Sequence, residues 1–169
     1  MSPKQKNYDV ENSLGFLTIT TNRLMSAMAR KRLTEIGADI TIEQWGVLTL
    51  LWEKDGLSQD ELAHIVCVDK SSISRVLDVL ERRKLIARKR DPADARRKIL
   101  FATEASREIQ QLCYEAAASA SDDMLAEVSD KDLEVCIKVL SQVKNTIRSL
   151  HNCGTASCSR DAQAHSDPV

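Results

Sequence analysis

The sequence predicts a mainly α-helical protein with a small β wing of two or three strands. Helix breakers are scarce, with three prolines and five glycines among 169 residues. Apolar residues recur at spacings of three and four along most of the chain, which is typical of amphipathic helices. Only residues 85–102 show two short strand-like runs, and the turn sequence Asp91-Pro92-Ala93-Asp94 separates them.

Four segments are expected along the chain. A long amphipathic helix lies within 9–36, and a compact lobe of short helices and the hairpin fills 41–102. Two further long helices are predicted within 103–150. Residues 151–169 are small and polar without periodicity, so we expect a disordered tail there.

Several helix starts are marked by side chains that can accept hydrogen bonds from the free amides of a first turn. The candidate N-caps are Thr41, Ser58, Asp69 and Thr103. Gln44 and Glu61 follow the first two at the third helical position, so each pair predicts a capping box.

The helix expected over 70–83 carries the residue types that can read DNA. Its apolar positions form one stripe: Ile73, Val76, Leu77 and Leu80. The opposite face then presents Lys70, Ser71, Ser72, Ser74 and Arg75. Short hydroxyls allow a close approach to base edges and phosphates, and a guanidinium can bind a guanine edge with two hydrogen bonds. The alternative is a serine-rich first turn that only caps the helix and is solvated.

The charge distribution supports the same surface. Residues 70–98 hold 11 cations and 4 anions, a net charge of +7, so the remainder of a chain with total charge −1 carries −8. A basic segment on an acidic body suits phosphate binding, although a solvated charged face is equally compatible. The hairpin supplies four arginines to this segment: Arg88, Arg90, Arg96 and Arg97. Asp94 lies two residues before Arg96 and is expected to hold it outstretched for a narrow minor groove.

Two short helices followed by a basic hairpin predict a winged helix-turn-helix, and residues 57–109 resemble the multiple antibiotic resistance regulator (MarR) family. The wing pattern Asp-Pro-x-Asp-x-Arg is present as Asp91, Pro92, Asp94 and Arg96. Further matching positions are Leu57, Leu62, Ser74, Arg75, Leu80, Glu81 and Thr103. The order of helices also matches from about Val10 to Leu150. The chain departs from the family pattern at Lys84 and Ser106, where glycine is common, and at Ala95, where a basic residue is common.

The resemblance implies a function and partners. It implies a transcriptional regulator, more often a repressor, that binds a palindromic operator in double-stranded DNA as a homodimer. The segments 9–36 and 103–150 would form the dimer, 70–83 would be the recognition helix, and Arg96 would enter the minor groove. It also implies a small aromatic or phenolic effector. The residues considered for that effector are Met25, Met28, Trp45 and Leu48, although each could simply be core.

Two other functions are kept open. Cys67 lies in the turn before the recognition helix, where its oxidation could shift that helix and make the protein a redox-sensing regulator. A winged-helix module that binds protein instead of DNA is the other alternative. We expect no enzyme, because the sequence has no catalytic or phosphate-binding motif.

We also expect a cytoplasmic protein with reduced thiols, no membrane span, no metal and no cofactor. The tail residues that could form a metal site on paper are His151, Cys153, Cys158 and His165, but their spacing is loose.

Overall fold

The computed structural model describes residues 9–94 and 97–158, with side chains up to residue 150. The helices are α1 (Leu14–Glu35), α2 (Ile42–Glu53), α3 (Gln59–Val66), α4 (Lys70–Arg82), α5 (Glu104–Glu108), α6 (Gln110–Leu125) and α7 (Asp130–Cys158). The strands are β1 (Leu57–Ser58), β2 (Ile86–Arg90) and β3 (Lys98–Ala102). The predicted class, mainly helical with a small β wing, is confirmed.

The chain divides after Met124 into two compact units. The first contains α1 to α5, α6 as far as Met124 and all three strands, and the second begins at Leu125 and contains α7. Among the helices of the described ranges, none combines the length and the apolar composition that a membrane span needs.

The sheet is antiparallel, with strand order β1-β3-β2. β2 and β3 form the predicted hairpin, in which Ile86 faces Ala102 and Arg90 faces Lys98. The third strand, which the sequence left open, is β1, and its two residues are too few for an alternating pattern to locate it. Leu57 and Ser58 pair with Leu100 and Ile99, so the third strand joins the hairpin to the start of α3.

The predicted caps are observed. Thr41–Gln44 and Ser58–Glu61 form capping boxes, in which each cap hydroxyl accepts from an amide and the third-position side chain accepts in return. α1 begins at Leu14 and not near Asp9, because the Ser13 hydroxyl accepts a hydrogen bond from the Phe16 amide and caps the helix there.

One hydrophobic core holds the first unit together. Its fully buried members include Leu48 and Leu51 of α2, Leu62 of α3, and Leu77 and Leu80 of α4, all 0% exposed. Because all three helices and the sheet contribute to this core, the position of α4 is set by packing on its buried stripe.

Residues 104–125 form two helices where a single long one was expected. α5 ends at Glu108, Ile109 has φ −93° and ψ −6°, and α6 continues from Gln110. Hydrogen bonds tie α5 to the residues around α2: Trp52 Nε1 donates to Ser106 Oγ (3.3 Å), and Arg107 donates to Asp55 (2.6 Å). The apolar periodicity runs through this break, so sequence alone gives no sign of it.

α7 extends to Cys158, which differs from the expected disorder of the tail. Residues 151–158 continue the helix because extending an existing helix fixes one residue for each new hydrogen bond. Residues 159–169, including His165, lie outside the described residues.

Lys84 adopts a left-handed conformation at the end of α4, with φ +58°. This is the position where the resembled family carries glycine, and the conformation explains that preference, since a Cβ is strained there. The carbonyl of Lys84 also accepts a hydrogen bond from Thr103 Oγ1 (2.7 Å), so the turn is fixed from outside.

We therefore expect Lys84→Gly to stabilise the first unit by about 1 kcal/mol, the cost of one non-glycine residue in this region. Chemical denaturation of the two proteins measures the difference. Lys89→Gly in strand β2 is the control and should destabilise. An unfolding free energy lowered by Lys84→Gly would show that the turn is not strained.

Candidate nucleic-acid interface

α3 and α4 form a helix-turn-helix whose turn contains no glycine. Cys67 has φ +57° and ψ +42° and ends α3, while the amide of Val68 donates to the carbonyl of Ala63 (3.1 Å). Gln59 Nε2 donates to the carbonyl of Lys70 (3.3 Å) across the turn. These contacts fix where α4 begins relative to α3.

The two faces of α4 differ as the sequence predicted. Ile73, Leu77 and Leu80 are no more than 2% exposed. The opposite face holds exposed Lys70, Ser71 and Arg75 and half-buried Ser72 and Ser74. Arg75 forms no ion pair with any residue in the described ranges, so its guanidinium is available to a ligand.

Asp69 organises the first turn of α4. Its carboxylate accepts hydrogen bonds from the amides of Ser71 and Ser72, both at 2.9 Å. It also accepts from their hydroxyls, at 2.5 Å from Ser71 and 2.7 Å from Ser72. These bonds, led by the one from the Ser71 hydroxyl, hold the pKa of Asp69 well below its ordinary value. Both hydroxyls are thus oriented by the cap, with lone pairs left to accept from another molecule.

Lys70 is paired as well as exposed. Its ammonium lies 3.0 Å from the Asp60 carboxylate on α3, with 74% of the lysine side chain exposed. Such an exposed ion pair is weak and exchanges readily for a stronger anion, so Lys70 stays accessible to a phosphate.

The hairpin turn is closed by backbone contacts on both sides of its tip. The Asp91 amide donates to the Arg97 carbonyl (3.0 Å), and the Arg97 amide donates to the Asp94 carbonyl (2.9 Å). The Asp91 carboxylate accepts from the Ala93 amide (2.8 Å) and shapes the turn. Ala95 and Arg96 lie outside the described residues, and so does the predicted pairing of Asp94 with Arg96.

Arg88 is engaged inside the lobe. Its guanidinium lies 2.7 Å from Asp78 and 2.6 Å from Glu81, both on α4, and its side chain is 17% exposed. Two carboxylates already neutralise this cation, so its visible role is to fasten strand β2 to α4. A direct DNA contact by Arg88 stays a prediction, and it would compete with these two ion pairs.

The remaining wing cations differ in their surroundings. Arg97 Nη2 donates to Ser58 Oγ (3.2 Å) and lies 3.5 Å from Glu61. Lys89 lies over the ring of Phe101, 4.7 Å from its centre. Arg90 and Lys98 are exposed and form no ion pair with any residue of the described segments. Arg75, Arg90 and Lys98 are thus exposed cations of the basic segment that have no ion pair among the residues the structure describes.

Comparison with known proteins identifies this lobe. A family model described as "MarR family" matches residues 40–98, which span α2 to the start of β3. The chain is 31% identical over 104 residues to the HTH-type transcriptional regulator YdgJ of Bacillus subtilis. The alignment covers 62% of this chain and 63% of YdgJ. It is therefore aligned with less than two thirds of that relative's length.

Residues 40–98 match the MarR family. A probable transcriptional regulator from Pseudomonas aeruginosa shares this fold, with a TM-score of 0.68 and 27% identity over 79% of this chain and 98% of the other. CouR from Rhodococcus jostii RHA1, in a crystal structure bound to p-coumaroyl-CoA, gives a TM-score of 0.66 and 26% identity, covering 85% and 94% of the two chains. The predicted MarR resemblance is confirmed.

The four residues considered for an effector lie in different surroundings. Leu48 is 0% exposed in the core, and Trp45 packs edge-on against Trp52 and Tyr114, with ring centres 5.7 Å away in both cases. Met25 is 44% exposed on α1, and Met28 is half-buried. A role of these four residues in effector binding stays a prediction.

A cavity of about 300 Å³ lies beside them, between α1, α2 and the α3–α4 motif. α1 contributes Asn22 and Ser26, and α4 contributes Ser72, Ile73 and Val76. The other lining residues are Ile42, Glu43, Gly46, Val47, Val66 and Val68. Sequence analysis missed this cavity, because its lining comes from α1, α2, the end of α3 with its turn, and α4, and no pattern within one helix marks it.

The structure describes some of the cysteines, but not the side chains of the tail residues considered for a metal site. Cys67 is exposed in the turn before α4, and Cys113 is buried, where desolvation raises the pKa of its thiol. The redox role of Cys67 stays a prediction. No group of three or more metal-ligating side chains occurs in the part of the chain that the structure describes. The tail residues His151, Cys153 and Cys158 have undescribed side chains.

Proposed function

We propose that this protein is a cytoplasmic DNA-binding transcriptional regulator, a repressor that binds a palindromic operator as a homodimer. One observation supports the DNA-binding role above the others. The recognition helix buries Ile73, Leu77 and Leu80 on one face. On the other face Arg75 is exposed and has no ion pair among the described residues, near the two serines whose hydroxyls bind the Asp69 carboxylate. An unpaired guanidinium on the outer face of such a helix suits a guanine edge in the major groove.

The homodimer is supported by apolar surface on the long helices. α1 exposes large apolar side chains: Leu14, Phe16, Leu17, Ile19, Leu24 and Met25. α7 exposes another set: Val135, Ile137, Val139, Leu140, Ile147 and Leu150. An apolar stripe along a helix of 29 residues requires a partner surface to bury it. A second copy of the chain is the partner that a symmetric operator needs.

Selection of bound duplexes from a random pool tests the function. We expect an inverted repeat whose half-sites lie about one helical turn, or 34 Å, apart, so that two recognition helices reach successive major grooves. Sedimentation of the complex should give two chains per duplex. Failure to bind any duplex at low salt would favour the protein-interaction alternative and contradict the proposal.

We further propose that an effector binds in the cavity between α1, α2 and the helix-turn-helix. Ser72, Ile73 and Val76 of the recognition helix line it, so an occupant there contacts the element that would read DNA. The lining includes Glu43 and no lysine or arginine among the described residues. Hydrogen bonds, first of all a backbone one, lower the pKa of Glu43 and keep it ionised. A neutral phenol therefore fits better than a free aromatic carboxylate. The aromatic acyl ligand of the relative CouR supports an effector of this general type.

Gly46 allows a test of this site. Gly46 lines the cavity, and a Cβ added there would meet no atom within 4 Å, so the first atom of a new side chain fits without displacing a neighbour. We expect Gly46→Leu to keep operator affinity and to abolish release by neutral phenols, measured by fluorescence anisotropy of labelled operator. Gly46→Ala, which leaves most of the volume open, is the matched control. Unchanged release from Gly46→Leu would place the effector elsewhere.

A further inference from the structure

Arg97 occupies the junction between the wing and helix α3. Its amide and carbonyl close the hairpin turn through Asp94 and Asp91, at 2.9 and 3.0 Å. Its guanidinium extends to the start of α3, where Nη2 donates to Ser58 Oγ (3.2 Å) and lies 3.5 Å from Glu61 Oε2. The backbone of Arg97 and its side chain, 51% of which is exposed, therefore both have partners within the lobe.

The acceptors of Arg97 are themselves held in place. The Glu61 carboxylate accepts from the Ser58 amide (2.8 Å) and from the Ser58 hydroxyl (2.6 Å). Ser58 also belongs to strand β1, opposite Ile99 of β3. The partner of Arg97 is thus a capping box fixed to both α3 and the sheet, which is more rigid than a pair of free surface side chains.

We propose that Arg97 is a positioning residue that anchors the base of the wing to the capping box of α3, and not a phosphate contact. This inference rests on the proposed DNA-binding function. Arg97 directly follows Arg96, the expected minor-groove residue, so the anchor sets the point from which the wing tip leaves the sheet. The anchor also binds the wing to the helix whose turn fixes the start of α4.

The direction in which one substitution changes DNA affinity distinguishes a positioning role of Arg97 from a phosphate contact. Glu61→Gln removes a negative charge from the lobe, and electrostatics alone would then tighten binding to a polyanion. If Arg97 positions the wing through Glu61, the same change loosens the wing and weakens binding. Glutamine retains the capping box, as Gln44 does in α2, where its side chain accepts from the Thr41 amide (3.1 Å).

The experiment measures operator affinity against salt for the full chain and three variants. We expect Glu61→Gln and Arg97→Gln each to weaken binding about two- to fivefold, the range that an exposed ion pair allows. The double variant should be no weaker than either single one, because both remove the same contact. Arg97→Gln should leave the salt slope unchanged, whereas loss of a phosphate contact lowers it by about 0.9.

Two matched controls accompany these variants. Asp60→Asn removes an anion from the same turn of α3 without touching Arg97 and should not weaken binding. Lys98→Gln removes the neighbouring cation, which forms no ion pair within the described part of the wing, and should lower the salt slope. Tighter binding by Glu61→Gln, or a salt slope reduced by Arg97→Gln as much as by Lys98→Gln, would overturn the proposal.

Amide hydrogen exchange tests the anchor without DNA. Both glutamine variants should speed exchange of the Asp91 and Arg97 amides, which close the hairpin, and leave the amides of α2 unchanged. If the wild-type protein bound no duplex, the proposed function would be wrong, but hydrogen exchange would still test whether Arg97 holds the wing. Unaltered exchange in both variants would show that Arg97 does not hold the wing.

Discussion

Arg75→Ala is expected to cost about 1–3 kcal/mol of operator binding and to relax base preference at one position of each half-site. The side chain is exposed on the outer face of α4, one residue before half-buried Val76, and forms no ion pair with the residues that the structure describes. Its removal therefore takes away no contact that holds the lobe together. A guanidinium that binds a base edge with two hydrogen bonds contributes energy of this size for one particular base pair.

Binding to a panel of operators with single base changes measures this effect. Wild-type protein should discriminate at one symmetric position where Arg75→Ala does not, and the melting temperatures of the two proteins should agree. Arg75→Lys is a useful comparison, because it keeps the charge and loses the two-pronged geometry. If Arg75→Ala retained full affinity and full discrimination, α4 would not be the recognition helix.

Leu77→Ala is expected to have the largest effect on folding, about 2–5 kcal/mol. Leu77 is two residues from Arg75 on the same helix but is 0% exposed, in the core shared with α2 and α3. Truncation leaves a cavity beneath the recognition helix and removes apolar contacts from every neighbouring element.

Equilibrium denaturation followed by circular dichroism measures the loss. The control is Ile65→Ala in α3, whose side chain is 43% exposed and should matter much less. A cost below about 1 kcal/mol for Leu77→Ala would mean that the lobe collapses into the vacated space. Comparison with Arg75→Ala then separates the two faces of one helix, one responsible for stability and the other for binding.

Local sequence signals were sufficient to predict most of the lobe. Capping at Thr41, Ser58 and Asp69 depends on residues three positions apart, and the apolar stripe of α4 depends on one helical period. Both patterns can be recognised without knowledge of the tertiary structure. The hairpin was equally clear, because its turn residues lie between two strand-like runs.

The sequence could not predict contacts between side chains that are far apart along the chain. The pairing of Arg88 with Asp78 and Glu81 depends on which face of β2 meets α4, and the contact of Arg97 with Glu61 spans 36 positions. From the sequence, these arginines were indistinguishable from Arg75 and Arg90, because composition records charge and not neighbours. The break at Ile109 was missed for the same reason: contacts of α5 with Trp52 and Asp55 accompany it, while the apolar pattern continues unchanged.

The aromatic cluster offers an optical consequence. The chain has two tryptophans, Trp45 and Trp52, and both pack against Tyr114 of α6 with ring centres 5.7 and 5.6 Å away. Tryptophan emission from the protein therefore originates where α2 meets α6, and not on the outer face of α4. Any change in its wavelength when a duplex or a small molecule is added reports a rearrangement inside the lobe, without an attached dye.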